Sequence, residues 1–325
     1  MNLKQDKVMD LTTAVSTYVK DGCHLSLGGF TINRNPMAAV YEIIRQKVKN
    51  IHLYAHSNGQ GVDELIGGAC VSHLEIAYGG NGKFASTCIR FRKAVEENLI
   101  HVEDYSNYQM TLRFLAGAMG IPFLPCRSSL GTDIVNKWGF SEEMRKGSDK
   151  LPDEKLTIMD NPFPGWLDTK KVVLVPAIQP DVTIVHVQKA DGRGNCRIQG
   201  LTFADAEQAK AAKHLIITCE ELCDNEALKT DSDQNQIPFI HVDAVVHVPH
   251  GAYPTACYHH YDYDPQYLKA YGKKAKDDTT HGAYLEEMVH GCPTHQDLIA
   301  KAGPEHMAAI AADPQTGYAR NLDRK

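Results

Sequence analysis

Apolar positions in this chain switch between two spacings. In some stretches they fall three or four residues apart, and in others they run together over three to eight residues. Val15 and Val19 lie one turn apart between Asp10, a helix-capping residue, and Gly22, a helix-ending one, which predicts a helix over about 11–20. Residues 25–27 read as a strand. Asn35-Pro36 opens a helix whose stripe is Val40, Ile43, Ile44 and Val48. Strands follow at 51–55 and 74–78, separated by a short helix over 63–69. The break Gly79-Gly80-Asn81-Gly82 precedes a long helix over 84–99, then a strand at 100–103, a helix over 108–119 and an extended apolar run at 122–126.

This rhythm predicts an α/β fold, with an open, mainly parallel sheet carrying helices on both faces. Residues 128–170 interrupt it. They are polar, and Pro152, Pro162, Pro164 and Gly165 punctuate them, so they read as an irregular excursion within one domain spanning 1–325. Strands resume at 171–178, 182–189, 215–219 and 242–248, with a helix over 205–213. From about 265 the tail is helical and polar.

Composition narrows the function without naming it. The 325 residues are 43% hydrophobic and 23% charged, ordinary for a globular protein with a sizeable core. A net charge of -6 leaves no nucleic-acid footprint. No apolar run approaches membrane-spanning length, and the first residues lack a signal core. Nine scattered cysteines point to reduced thiols, hence a cytoplasmic protein. The Cys219/Cys223 spacing fits neither a redox CxxC nor a zinc knuckle. His259-His260, adjacent in an aromatic loop, and the His247/His250 pair are not read as metal ligands, so no metal is expected. Gly59-Gln60-Gly61 lacks the third glycine of a dinucleotide fingerprint, and no P-loop, GxSxG or HExxH is present.

The densest chemistry lies between Asp21 and Pro36, where a strand runs into Gly28-Gly29-Phe30. A glycine pair at a strand's C-terminal end lets main-chain N–H groups approach a ligand. The run from Asp21 to Pro36 resembles the first-subunit signature of family I CoA-transferases, in which Asp-Gly leads through apolar residues to Gly-Gly-Phe and then Pro. Ser26 departs from it, where an apolar residue is usual, and so does Arg34, where many relatives have glycine. The resemblance continues through Val102-Glu103-Asp104-Tyr105-Ser106-Asn107, Gly120-Ile121-Pro122-Phe123-Leu124-Pro125 and Met159-Asp160-Asn161-Pro162-Phe163. It also takes in Val242-Asp243-Ala244-Val245-Val246, Gly251-Ala252-Tyr253-Pro254 and Tyr261-Asp262-Tyr263-Asp264.

The resemblance implies a CoA-transferase (NagB-RpiA-like) fold. It also implies ping-pong transfer of coenzyme A, a co-substrate, between carboxylic and possibly dicarboxylic acids, with no tightly bound cofactor. The family's nucleophile is a glutamate in a Ser-Glu-Asn-Gly type loop of the second subunit. The nearest text here, Val95-Glu96-Glu97-Asn98-Leu99, lacks the glycine. The expected partner is therefore a β subunit carrying that glutamate, in αβ pairs that assemble further, with the chain inactive alone. Relatives carry a carboxamide at the position of Asn107, suited to hydrogen-bonding a thioester oxyanion; read by itself, Asn107 is as well a helix N-cap. Gly28 and Gly29 would offer backbone donors, and Phe30 would line the pocket. Arg34 is a candidate partner for a substrate carboxylate, and Arg127 for a carboxylate or a CoA phosphate. Ser57, Asn58 and Tyr78 stand at further strand ends. Two rivals remain. One is a steroid-ring-opening CoA hydrolase on the same scaffold, which shares Leu124-Pro125-Cys126-Arg127 but carries glutamate at the position of Asn107. The other is a ligand sensor, for which the chain lacks room for a DNA-binding helix-turn-helix.

Overall fold

In the computed structural model, residues 6–163, 165–322 and 324 are described. The strands are β1 (His24–Leu27), β2 (Ile51–Asn58), β3 (Val71–Gly79), β4 (His101–Asp104), β5 (Phe123–Cys126), β6 (Thr157–Asp160), β7 (Lys171–Pro176), β8 (Val182–Asp191), β9 (Cys196–Arg197), β10 (His214–Cys223) and β11 (Ala244–His247). The main sheet runs β11-β10-β8-β1-β2-β3-β4, every neighbour parallel, with β9 added antiparallel to β8. The chain builds outward from β1 to β4, then returns to β8 on the other side. The strand order therefore reverses at β1, and open α/β sheets bind ligands at such points.

The helices are α1 (Leu11–Tyr18), α2 (Met37–Arg45), α3 (Gln60–Gly67), α4 (Ile89–Glu96), α5 (Asn107–Met119), α6 (Asp133–Asn136), α7 (Glu142–Lys146), α8 (Asp205–Ala211), α9 (Pro265–Lys274), α10 (Asp278–Leu285), α11 (His295–Ala302) and α12 (Pro304–Ile310). Strand alternation sorts the two faces. Leu25, Leu27, Leu53, Leu74 and Ile184 point at α1 to α3, forming the larger core with Val15, Ile43 and Leu65. Tyr54 faces the other way, towards Phe114 of α5, and Val185 and Val187 towards Ala209 of α8. Ser26, polar where the signature is apolar, is on this second face. It is wholly buried, and its Oγ accepts from Gln208 Nε2 at 2.9 Å.

Several boundaries differ from the sequence reading. The helix expected over 84–99 starts at Ile89, because 82–84 form a 3₁₀ turn and Phe84 leaves to pack edge-on against Tyr263. The strands at 123–126 and 171–176 are not part of the parallel sheet. β5 and β6 flank β7 in a separate antiparallel sheet. The excursion is thus partly ordered, contributing α6, α7 and β6. All nine cysteines are free thiols, eight of them buried. No helix among the described residues is long and apolar enough to cross a membrane.

Candidate active site

The C-terminal ends of β1 and β2 carry the residues of interest. Gly29 has φ +86°, and a Cβ there would lie 2.6 Å from the carbonyl oxygen of Arg34, so the turn requires glycine. The amides of this turn are all engaged within the chain. Gly28 donates to Ile184 O at 2.9 Å, Phe30 to Asn33 O at 2.8 Å and Thr31 to Ser57 O at 3.0 Å. Gly29 N donates to Asp205 Oδ1 at 2.8 Å. This corrects the reading of Gly28 and Gly29 as free donors: the glycines shape the turn, and its N–H groups hold that shape.

Arg34 is corrected in the same sense. It is 3% exposed, with Nη2 2.5 Å from Asp205 Oδ2 and Nη1 donating to Leu201 O at 3.0 Å. Its carboxylate partner belongs to its own chain. Asn58, also buried, donates from Nδ2 to Gly28 O at 3.0 Å and accepts from Val62 N at 3.2 Å, tying the start of α3 to the glycine turn. Tyr78 donates to Ser86 O at 2.9 Å, and Arg127, exposed, donates to Leu167 O at 2.9 Å.

Ser57 and Asn107 do come together. Ser57 Oγ donates to Asn107 Oδ1 at 2.6 Å, joining the end of β2 to the first residue of α5. Asn107 is not the cap of that helix. Ser106 is, in a reciprocal capping box with Gln109: Gln109 N donates to Ser106 Oγ at 3.2 Å, and Ser106 N to Gln109 Oε1 at 3.0 Å. Asn107 is exposed, its Oδ1 is fixed by Ser57, and its Nδ2 has no partner among the described residues. That amide is a neutral donor held in place at a strand–helix junction.

Beside it lies His56, which the sequence reading missed. Its ring is 5.9 Å from Phe30, its Nδ1 is buried without a partner among the described residues, and burial lowers its pKa from the ordinary histidine value. Phe30 stacks on Phe203 at 4.6 Å and 10°. The two rings wall a cavity of about 540 Å³ that Leu201, Tyr258 and Tyr263 also line. The aromatic loop around 258–264, which had no role from sequence, thus faces the same cavity as Phe30. Phe203 and Asp205 could not be found from sequence. No local motif marks them, and their partners lie about 170 residues away.

A separate buried group, His186, Glu220 and Cys257, brings three potential ligand atoms within 4.8 Å of one another. It is knit by protons: His186 bonds Thr218 Oγ1 at 2.8 Å and Glu220 Oε1 at 2.7 Å, and Glu220 also accepts from Tyr261 Oη and from His250 N at 2.7 Å. These bonds hold the Glu220 carboxyl down at about 2 against the burial that opposes them.

The open parallel sheet with a glycine turn at its switch point places the chain among α/β proteins, and comparison with known families narrows the class. Residues 8–248 match the coenzyme A transferase family, and the chain belongs to that family. It is 40% identical to a glutaconate CoA-transferase subunit from Acidaminococcus fermentans over 96% of this chain and 97% of that one. The crystal structure of glutaconate coenzyme A-transferase from that organism superposes with a TM-score of 0.92, covering 98% of both chains. The chain is also 32% identical to a 3-oxoadipate CoA-transferase subunit from Pseudomonas knackmussii over 91% of its length and 98% of that protein. More distantly, it is 27% identical to a cholesterol ring-cleaving hydrolase subunit from Rhodococcus jostii over 94% of its length and 99% of that protein.

Proposed function

We propose that this chain is the α subunit of a heteromeric CoA-transferase. It would move coenzyme A between carboxylic acids, dicarboxylic acids among them, with a separate β subunit supplying the nucleophilic glutamate. The observation that carries this reading is the Ser57–Asn107 hydrogen bond, which leaves the amide Nδ2 unoccupied at the end of the sheet. No glutamate among the described residues hydrogen-bonds Ser57 or Asn107, which fits a nucleophile arriving from elsewhere.

In the proposed reaction the partner's carboxylate attacks the acyl-CoA carbonyl, and the C–S bond breaks to give a mixed anhydride and CoA thiolate. The thiolate attacks the anhydride, releasing the first acid and leaving an enzyme–CoA thioester. The acceptor acid reverses both steps. Each addition places negative charge on the carbonyl oxygen, and Asn107 Nδ2 donates to it without adding a charge of its own. Ser57 fixes which end of the amide faces the oxygen. The cavity beside Phe30 and Phe203 would take the acid's carbon chain. A neutral amide cannot act as a base on water, so Asn107 favours transfer over hydrolysis at this position.

Asn107→Ala in the assembled pair is expected to lower turnover about 10²-fold or more. Assembly and thermal stability should be preserved, since Ser106 caps the helix. Undiminished turnover would remove Asn107 from the mechanism, and transfer by the chain alone would remove the partner.

A further inference from the structure

We infer that the buried carboxylate of Asp205 is a positioning residue that sets the wall of the acid-binding cavity, an inference that rests on the proposed transfer reaction. Asp205 opens α8 and is wholly buried. Its two oxygens do separate work. Oδ1 accepts the Gly29 amide at 2.8 Å, and Oδ2 pairs with Arg34 Nη2 at 2.5 Å. Both partners belong to the turn after β1, so one carboxylate grips that turn at each end.

Arg34 extends the grip. Its Nη1 donates to Leu201 O at 3.0 Å, joining the glycine turn to the segment that leads into α8. Phe203 lies in that segment and stacks on Phe30, its ring 5.7 Å from the Arg34 guanidinium. Two backbone positions in this unit are held at left-handed angles, Arg34 at φ +52° and Phe203 at φ +49°. Non-glycine residues pay for such angles and keep them where surrounding bonds fix them. The Arg34 backbone is held by its N–H on Ala256 O at 2.7 Å and its side chain by Asp205, while Phe203 is held by its stack on Phe30. Gly28 leaves room for Asp205, since a Cβ there would sit 3.1 Å from Asp205 Oδ1. The carboxylate thus sets the Phe30–Phe203 pair without touching substrate, and through Phe30 it sets the ring neighbouring His56.

A purely structural ion pair predicts something different from a positioning one. Removing one partner strands a buried charge and destabilises the fold, so single neutralisations are ambiguous. Two variants avoid that. Arg34→Lys keeps the charge pair, but an ammonium lacks the planar fork that reaches Asp205 and Leu201 O together. The double variant Arg34→Met/Asp205→Asn removes both charges at once. Each is made in the full chain and assembled with its β subunit. We expect the variants to keep a cooperative melt and to lose at least tenfold in kcat. We also expect the KM for the acid to rise more than that for acyl-CoA, and amide hydrogen exchange at 28–34 to quicken at least tenfold while β2 and β3 stay protected. A variant that folds with wild-type kcat, wild-type KM values and unchanged exchange at 28–34 overturns the inference. Variants that fail to melt cooperatively also overturn it, because the pair is then a folding determinant. The exchange measurement needs no substrate, so an assembled wild type without transferase activity would sink the functional reading while leaving the grip on the turn separately testable.

Discussion

At the scale of single residues, the site separates groups that hold shape from groups left unengaged. Ser106 and Asn107 are neighbours with opposite expected phenotypes. Ser106→Ala removes the capping box and should cost about 1 kcal/mol of stability in urea denaturation. Gly29→Ala forces a Cβ onto the Arg34 carbonyl at a left-handed φ, and should cost at least about 1–2 kcal/mol from the backbone angle alone. Sequence exposed some of this and hid the rest. The glycine turn was legible because Gly-Gly at a strand end is a local signal, whereas Asn107 read by itself was a helix cap and stood out only through the family resemblance. The fate of the turn's amides was not legible, since Ile184 and Asp205 reach them from distant parts of the chain. Arg34 looked like a free fork for the same reason: the text near it contains no carboxylate, and the fold brings one.

At the scale of elements, four neighbouring strands carry a histidine at the same register: His24 pairs with His52, His52 with His73, and His73 with His101. The first three rings stack across the sheet at 4.2 and 5.4 Å, His101 lies tilted against His73 at 5.1 Å, and Phe140 is edge-on to the middle two. Burial lowers His24 to about 3 and His73 to about 4, and the neighbouring imidazoles add to the effect. Both groups bind protons more readily when unfolded, where the histidine value is near 6.5. Stability should therefore fall as pH drops below about 6.5, and keep falling towards the folded values. Urea midpoints measured between pH 7 and pH 4 test this, and His73→Gln should flatten the slope. The strands themselves were legible as apolar runs, and most of the main sheet was readable from them. The small antiparallel sheet was not. β5 and β7 are as apolar as parallel strands, and only pairing direction distinguishes them.

At the scale of the whole molecule, two acids of α3 bind the C-terminal helices to the sheet. Asp63 accepts from Tyr271 at 2.8 Å, while Glu64 accepts from Tyr284 and, at 2.9 Å, from Gln60. Tyr267 links Tyr284 at 2.7 Å to Tyr41 at 3.1 Å. Burial raises Asp63 to about 6 and Glu64 to about 8. The unfolded chain loses these protons first, so the contribution of Asp63 and Glu64 to stability should decline as pH climbs from about 4.5 to 8, opposing the histidine contribution below 6.5; Glu64→Gln should reduce the decline seen between pH 6.5 and 8, read as melting temperature against pH. In the small antiparallel sheet, β6 has all four residues exposed, Ile158 and Met159 among them, and Phe163 and Leu167 just beyond are each 69% exposed. Its outer margin has no neighbouring strand among the described residues, and an unpaired strand edge with exposed apolar side chains can recruit other chains. Purified by itself, the protein should scatter more light as it is concentrated, and Ile158→Lys should keep it clear.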